Sequence, residues 1–263
     1  MNDLILKEYW EFSKKLADIA DRISISFFEK QQDLEIRTKN DGSFVTKADK
    51  QIESQLREQI KIHYPDHGII GEESGEDQSD SSLYTWIIDP IDGTHGFMRG
   101  LPIWATLIAL RYDKEIIVSF VSAPALNCRW WAILNNGAFK FANNKTMEIS
   151  VSTISNLVTA QLLYTGVKES TQKWSGFENI LKTVWRERGL GDFWGHCLVA
   201  EGAAEIMIDP IANIWDLAAL NLIVHESGGI MSNERGTRSF DSGHAISSNK
   251  LLHQEIINLL QSV

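Results

Sequence analysis

Two carboxylates three residues apart, Asp89 and Asp92, stand in the run Trp86-Ile87-Ile88-Asp89-Pro90-Ile91-Asp92-Gly93-Thr94. The apolar residues ahead of them read as a buried strand, which puts both acids at its carboxyl end, where α/β folds bind ligands. Pro90 fixes its own φ and has no N–H, so a turn over residues 89–92 can hold two carboxylates and the Ile91 carbonyl in one concave arc. Two like charges about 4 Å apart repel by roughly 1 kcal/mol in water and by several times that in a cleft, so the arc requires a bound cation or raised pKa values. A divalent cation resolves the conflict, and an all-oxygen donor set selects a hard ion such as Mg²⁺ over Zn²⁺. Gly93 and Thr94 follow at once, and a glycine beside exposed N–H groups lets a phosphate approach the backbone. Taken alone, the same run also reads as an Asx-type surface turn.

Further acids lie far away in the chain. Gly71-Glu72-Glu73-Ser74 stands upstream, and Trp215-Asp216 downstream opens an apolar helix ending at Gly228-Gly229. Singly, Glu72 or Glu73 reads as a solvated loop acid, and Asp49 or Asp216 as a helix cap. Together, Val45–Asp49 (VTKAD), Gly71–Ser74 (GEES), Trp86–Thr94 (WIIDPIDGT) and Trp215–Ala219 (WDLAA) resemble the inositol monophosphatase family in order and spacing, over nearly the whole chain. The resemblance implies a layered α/β/α/β/α sandwich and a phosphomonoesterase with up to three magnesium ions at one site. It implies Glu72, Asp89 and the Ile91 carbonyl on a first ion, and Asp89, Asp92 and Asp216 on a second, with Asp89 bridging. Glu72 would also reach a third ion. Asp49 and Thr94 would orient the attacking water, the Gly93 and Thr94 N–H groups would hold the phosphate, and Lys39 would lie near. In-line attack of an activated water on phosphorus, with no phosphoenzyme, is the expected reaction.

Within that family, Arg99–Leu110, Ser122–Ala132 and Gly191–Pro210 look most like bacterial histidinol-phosphate phosphatases. Histidinol phosphate carries an ammonium and an imidazole, so its pocket should offer carboxylates that a polyol pocket does not need. Asp192 and Asp209 are the candidates, with Glu201 behind them; inositol monophosphate or another small phosphomonoester is the alternative substrate. The family commonly has Lys or Thr and then Asn after Gly-Thr, where this chain reads His95-Gly96. His95 is therefore expected to contact substrate or cover the metal site, and Gly96 to lack a side chain that buttresses the loop.

The scaffold must bring these residues together. The 263 residues, 43% hydrophobic, suffice for a substantial core. A formal net charge of −10 argues against a nucleic-acid partner. Two cysteines, Cys128 and Cys197, read as buried thiols of a reduced, cytoplasmic protein, and no signal peptide or spanning helix is evident. Apolar periodicity predicts a long helix over residues 4–30, and turn chemistry marks Asn40, Asp41 and Gly42. A second helix is expected over 48–62. Strands are expected over 68–71, 83–88, 104–111, 116–122 and 129–134, and a loop over the acidic, serine-rich residues 74–82.

The polar stretch Asn143–Thr146 suggests a boundary between an α+β half, residues 1–142, and an α/β half, residues 143–263, forming one catalytic unit. A homodimer is the family expectation. Two rivals are weaker. An EF-hand loop fails because Gly100 and Ile103 occupy the closing positions that need Glu. A non-catalytic interaction protein is suggested only by nine Trp, among them Trp130, Trp131, Trp174, Trp185 and Trp194. His63 and His67 flank Pro65 and do not share a helical face, so they are not expected as ligands.

Overall fold

The computed structural model describes residues 2–30, 36–38, 44–77 and 82–262. Lys39 and the expected turn residues Asn40, Asp41 and Gly42 lie outside them. Helix α1 (Asp3–Phe28) starts where the Asn2 side chain accepts the Leu4 N–H, and its stripe Leu6, Tyr9, Phe12, Leu16 and Ala20 is buried. A short antiparallel ribbon, β1 (Ile36–Thr38) and β2 (Phe44–Thr46), leads into α2 (Lys47–His63). The two helices pack together and cover one face of the first sheet.

That sheet contains β3 (Gly68–Gly71), β4 (Gly75–Asp77) and β5 (Tyr84–Asp92). After α3 (Thr94–Met98) come β6 (Ala105–Tyr112), β7 (Glu115–Ala123), β8 (Cys128–Ile133), β9 (Ala138–Ala142) and β10 (Lys145–Ile149). Its order is β10-β9-β8-β7-β6-β5-β3-β4, and only the β3/β5 pair is parallel. Two expectations need correction. Gly75–Asp77 is not loop but an edge strand paired with β3. Asn143 and Asn144, with φ of 52° and 59°, form the tight hairpin between β9 and β10, so the first sheet continues to Ile149 through the proposed boundary.

The rest of the chain comprises β11 (Gln161–Tyr164), α4 (Val167–Lys173), α5 (Phe177–Thr183), β12 (Arg186–Arg188), α6 (Asp192–Ala200), β13 (Ile206–Asp209), α7 (Ile214–Glu226), β14 (Gly229–Ser232), β15 (Ala245–Asn249) and α8 (His253–Leu260). The second sheet has the order β12-β11-β13-β15-β14, with β11 parallel to β12 and β13. Helices α6 and α7 lie between the sheets: α7 packs on β5 to β9, and α6 on β13 and β15.

Four apolar clusters correspond to the four interfaces of five layers. One joins α1 and α2 to the first sheet through Leu16, Ile52, Trp86 and Ile108. A second joins that sheet to α6 and α7 through Ile87, Leu107, Phe193 and Leu220. Leu163, Val199 and Met207 join α6 to the second sheet, and Phe177, Ile206 and Ile257 join that sheet to its outer helices. The architecture is the expected α/β/α/β/α sandwich.

Both cysteines are free thiols; Cys197 is buried and Cys128 only half-buried. Trp130 and Trp174 are buried, whereas Trp185 stands 66% exposed. His67 is sandwiched between Tyr64 and Tyr84 at ring distances of 4.8 and 4.7 Å, a packing role. No helix among the described residues is long and apolar enough to cross a membrane.

Candidate active site

The site begins with an irregularity in β5. Residues three apart on a regular strand point to opposite faces. Here Asp89 pairs with Leu107 and Asp92 with Ala105, so three steps along β5 match two along β6. The extra residue is a β-bulge, and it returns Asp92 to the side of the sheet that Asp89 faces. The expected turn over residues 89–92 is thus a bulge within the strand. Its polar groups are satisfied: Asp89 Oδ1 accepts the Ile91 N–H at 2.9 Å, and the Pro90 and Ile91 carbonyls accept the Thr106 and Thr94 hydroxyls at 2.8 and 3.0 Å.

Two helix starts contribute the next acids by the same local device. Asp49 is the third residue of α2 and accepts the Thr46 N–H (2.9 Å) and hydroxyl (2.5 Å). Asp216 is the third residue of α7 and accepts the Asn213 N–H at 2.6 Å. Both are capping-box acids as well as site residues. A third helix start, that of α6, donates the Phe193 N–H to Asp92 Oδ2 at 2.6 Å.

The acids gather into two groups, each with ligand atoms within 4.8 Å of one another: Asp89, Asp92 and Asp216, and Asp49, Glu72 and Glu73. The sequence reading had put Glu72 with Asp89 and Ile91 and left Glu73 as a loop acid; the fold draws both glutamates to Asp49. The groups adjoin, because Glu72 presses electrostatically on both Asp89 and Asp216. Thr94 and Asp49 are not hydrogen-bonded to each other; Asp49 Oδ1 is buried with no hydrogen-bond partner among the described residues.

Burial, first, and then the neighbouring acids raise the Asp89 and Asp92 carboxyls well above their usual range. Glu72, Asp92 and Asp216 all press on Asp89. Burial pushes Asp216 up to about 7 and Asp49 to about 6. An all-oxygen set of buried and half-buried acids that repel one another suits a hard divalent cation.

The same shifts dictate a pH dependence for the metal-free protein. Acids whose folded pKa is raised stabilise the fold below their unfolded pKa, near 4, and lose that contribution as pH rises through the folded value. The melting temperature in chelator should therefore fall by several degrees between about pH 4 and pH 7. Added divalent cation should reverse the fall; a metal-free melting curve that is flat over this window would contradict the shifts.

Beside Asp92 lies a further group of acids. Asp192 presses on Asp92, and Asp209 on Asp192; His95 and His196 counter the charge of Asp192. Asp192 has φ +54°, a left-handed conformation that costs a non-glycine residue about 1 kcal/mol or more, so its position is imposed by its surroundings. Asp209 ends β13 and is buried, with Oδ1 unpartnered among the described residues and Oδ2 3.7 Å from His196 Nε2. His196, itself fully buried and bonded through Nδ1 to the Ser247 hydroxyl at 2.8 Å, was not foreseen; a lone histidine in an apolar helix gives no signal. Glu201 is at the far end of α6, about 13 Å along the helix from Asp192, where it binds Lys140 and the Trp130 indole N–H, away from these acids.

Gly93, at φ +82°, caps α3, and a Cβ there would stand 2.9 Å from the Ile103 carbonyl. The same carbonyl lies 3.0 Å from where a Gly96 Cβ would be. Gly96 therefore leaves no gap in the loop: the backbone at Ile103 fills it. His95 is exposed.

The profile of the inositol monophosphatase family matches residues 6–263. A histidinol-phosphatase of Mycobacterium tuberculosis is 41% identical over 94% of this chain and 95% of its own length. One of Streptomyces coelicolor is 39% identical over 93% and 94%. Among solved structures, Thermotoga maritima IMPase superimposes with a TM-score of 0.84 at 28% identity, covering 96% of both chains. With its layered fold and its acids converging from four separate segments, the chain belongs to the inositol monophosphatase family.

Proposed function

We propose that this chain is a magnesium-dependent phosphomonoester hydrolase whose substrate is histidinol phosphate. The observation that carries the reading is the adjacency of two acid clusters to a further pair of acids, Asp192 and Asp209, across the Gly93 backbone. Full-length similarity to histidinol-phosphatases supports the substrate.

In this reading Asp89, Asp92 and Asp216 would hold one magnesium ion and Glu72 and Glu73, beside Asp49, another, with Asp89 and the Ile91 carbonyl available to either; up to three ions could be served. Bound magnesium supplies Lewis-acid stabilisation of the phosphoryl charge and lowers the pKa of a water. The chain does the rest. The Gly93 and Thr94 N–H groups hold the phosphate, and the unpartnered Asp49 Oδ1 and the Thr94 hydroxyl oxygen accept the protons of the attacking water. Asp192 and Asp209 take the substrate's ammonium and imidazole in charge-assisted hydrogen bonds, with His95 at the rim. The chain would act as one catalytic unit, a reading supported by the packing of α7, which bears Asp216, on the sheet that bears Asp89. A cytoplasmic homodimer, measurable by sedimentation, is part of the same proposal.

The test is phosphate release from histidinol phosphate and from inositol monophosphate, with and without Mg²⁺. Histidinol phosphate should give a kcat/KM larger by about two orders of magnitude, the cost of leaving buried polar groups unmatched. A preference for inositol phosphate would overturn the roles of Asp192 and Asp209, and turnover in chelator would overturn the metal roles.

A further inference from the structure

Helix α2 carries a second acid, Glu53, four residues after Asp49 and fully buried. The spacing places both on one face of the helix. A carboxylate is kept in an interior only when paired and hydrogen-bonded, and Glu53 has three donors. Its Oε2 accepts the Glu73 N–H at 2.7 Å; its Oε1 accepts the Ser74 N–H at 2.9 Å and Arg57 Nε at 2.8 Å. Four residues further, Arg57 also donates to the Gly75 carbonyl, and four beyond it Lys61 pairs with Asp77. Asp49, Glu53, Arg57 and Lys61 thus form a stripe at i, i+4 spacing along the β3–β4 hairpin, whose turn bears Glu72 and Glu73.

Gly71 completes the arrangement. A Cβ at this position would lie 2.6 Å from the Glu53 carboxyl group. Glycine is needed there for space, because the carboxylate reaches past it to the two N–H groups beyond.

We propose that Glu53 is a positioning residue for the metal-binding glutamates: by gripping the backbone of Glu73 and Ser74 it sets the direction in which Glu72 and Glu73 present their carboxylates to Asp49. The proposal rests on the metal-site reading above. It predicts a defect in metal affinity rather than in the chemical step, since groups that orient ligands typically govern affinity by about 10–100-fold.

Glu53→Gln keeps the size but sets an amide N–H against backbone donors. In this variant the Mg²⁺ concentration for half-maximal thermal stabilisation, and that for half-maximal phosphate release, should both rise by about 10–100-fold, with kcat at saturating Mg²⁺ little changed. Gly71→Ala, whose added methyl meets only the end of a flexible side chain, should fold and shift both Mg²⁺ values in the same direction. The shift should shrink in a Glu53→Ala background, where the methyl has room. A Glu53→Gln protein that melts lower but binds Mg²⁺ like the wild type would overturn the proposal alone. A wild type whose melting and turnover both ignore Mg²⁺ would overturn the metal-site reading and this one with it.

Discussion

Asp89→Asn should lower phosphate release by about three orders of magnitude or more at any Mg²⁺ concentration, while the metal-free protein melts no lower than the wild type. The first half follows from position. Asp89 belongs to one acid cluster and is pressed by Glu72 of the other, so an amide there would weaken both proposed cation sites at once. Lewis-acid stabilisation of a phosphoryl transition state is worth several kcal/mol, and each 1.4 kcal/mol, approximately, is a factor of ten in rate. The second half follows from burial. Asp89 is 2% exposed among like charges, and its Oδ1 contact to the Ile91 N–H is one that an asparagine oxygen can also make. Removing a repelled charge while keeping that bond should leave the metal-free fold intact or firmer. Enzyme assays and melting curves on the same preparation check both halves; near-normal turnover would contradict the bridging position, and a collapse in stability would contradict the electrostatics.

Gly93→Ala is expected to lose about two orders of magnitude in kcat/KM and several degrees of melting temperature. The backbone at this position is left-handed, which costs an L-residue about 1–2 kcal/mol. The new methyl would also stand 2.9 Å from the Ile103 carbonyl, a backbone atom that cannot swing aside. Either the loop shifts or α3 unwinds, and in both cases the Gly93 and Thr94 N–H groups leave the place proposed for the phosphate; a single such donor is worth about 10²–10³ in rate. Gly96→Ala meets the same carbonyl at 3.0 Å without a left-handed backbone, so it should be milder in both readouts. If the two variants behave alike, the conformational argument is wrong.

Much of this site was legible because its chemistry is written in short contiguous runs. The apolar strand before Asp89, the cap before Asp49 and the apolar helix after Asp216 each have strong local signals, and the helices fall within a residue or two of expectation. What escaped was set by tertiary contacts. Strand β4 is a polar Gly-Glu-Asp edge with no apolar alternation, and β10 is exposed along most of its length, so neither has a periodic signature. Glu73 looked like its neighbours in an acidic loop until Glu53, twenty residues earlier, fixed its backbone. Glu201 looked like a pocket acid because α6 begins beside Asp92; its other end lies elsewhere. A bulge and a turn over residues 89–92 use the same residue types, and only pairing with β6 separates them.

That pairing has a corollary for how the catalyst tolerates changes of register. In β5 the number of residues between the two aspartates is odd-sensitive: the count decides which side of the sheet the second acid serves. Pairing these same residues rung for rung with β6, without the bulge, would give a neater ladder and would send Asp92 across to the layer of α1 and α2, away from its partners. The most regular version of this sheet is therefore the inert one, and the flaw in its weave is what makes the protein an enzyme.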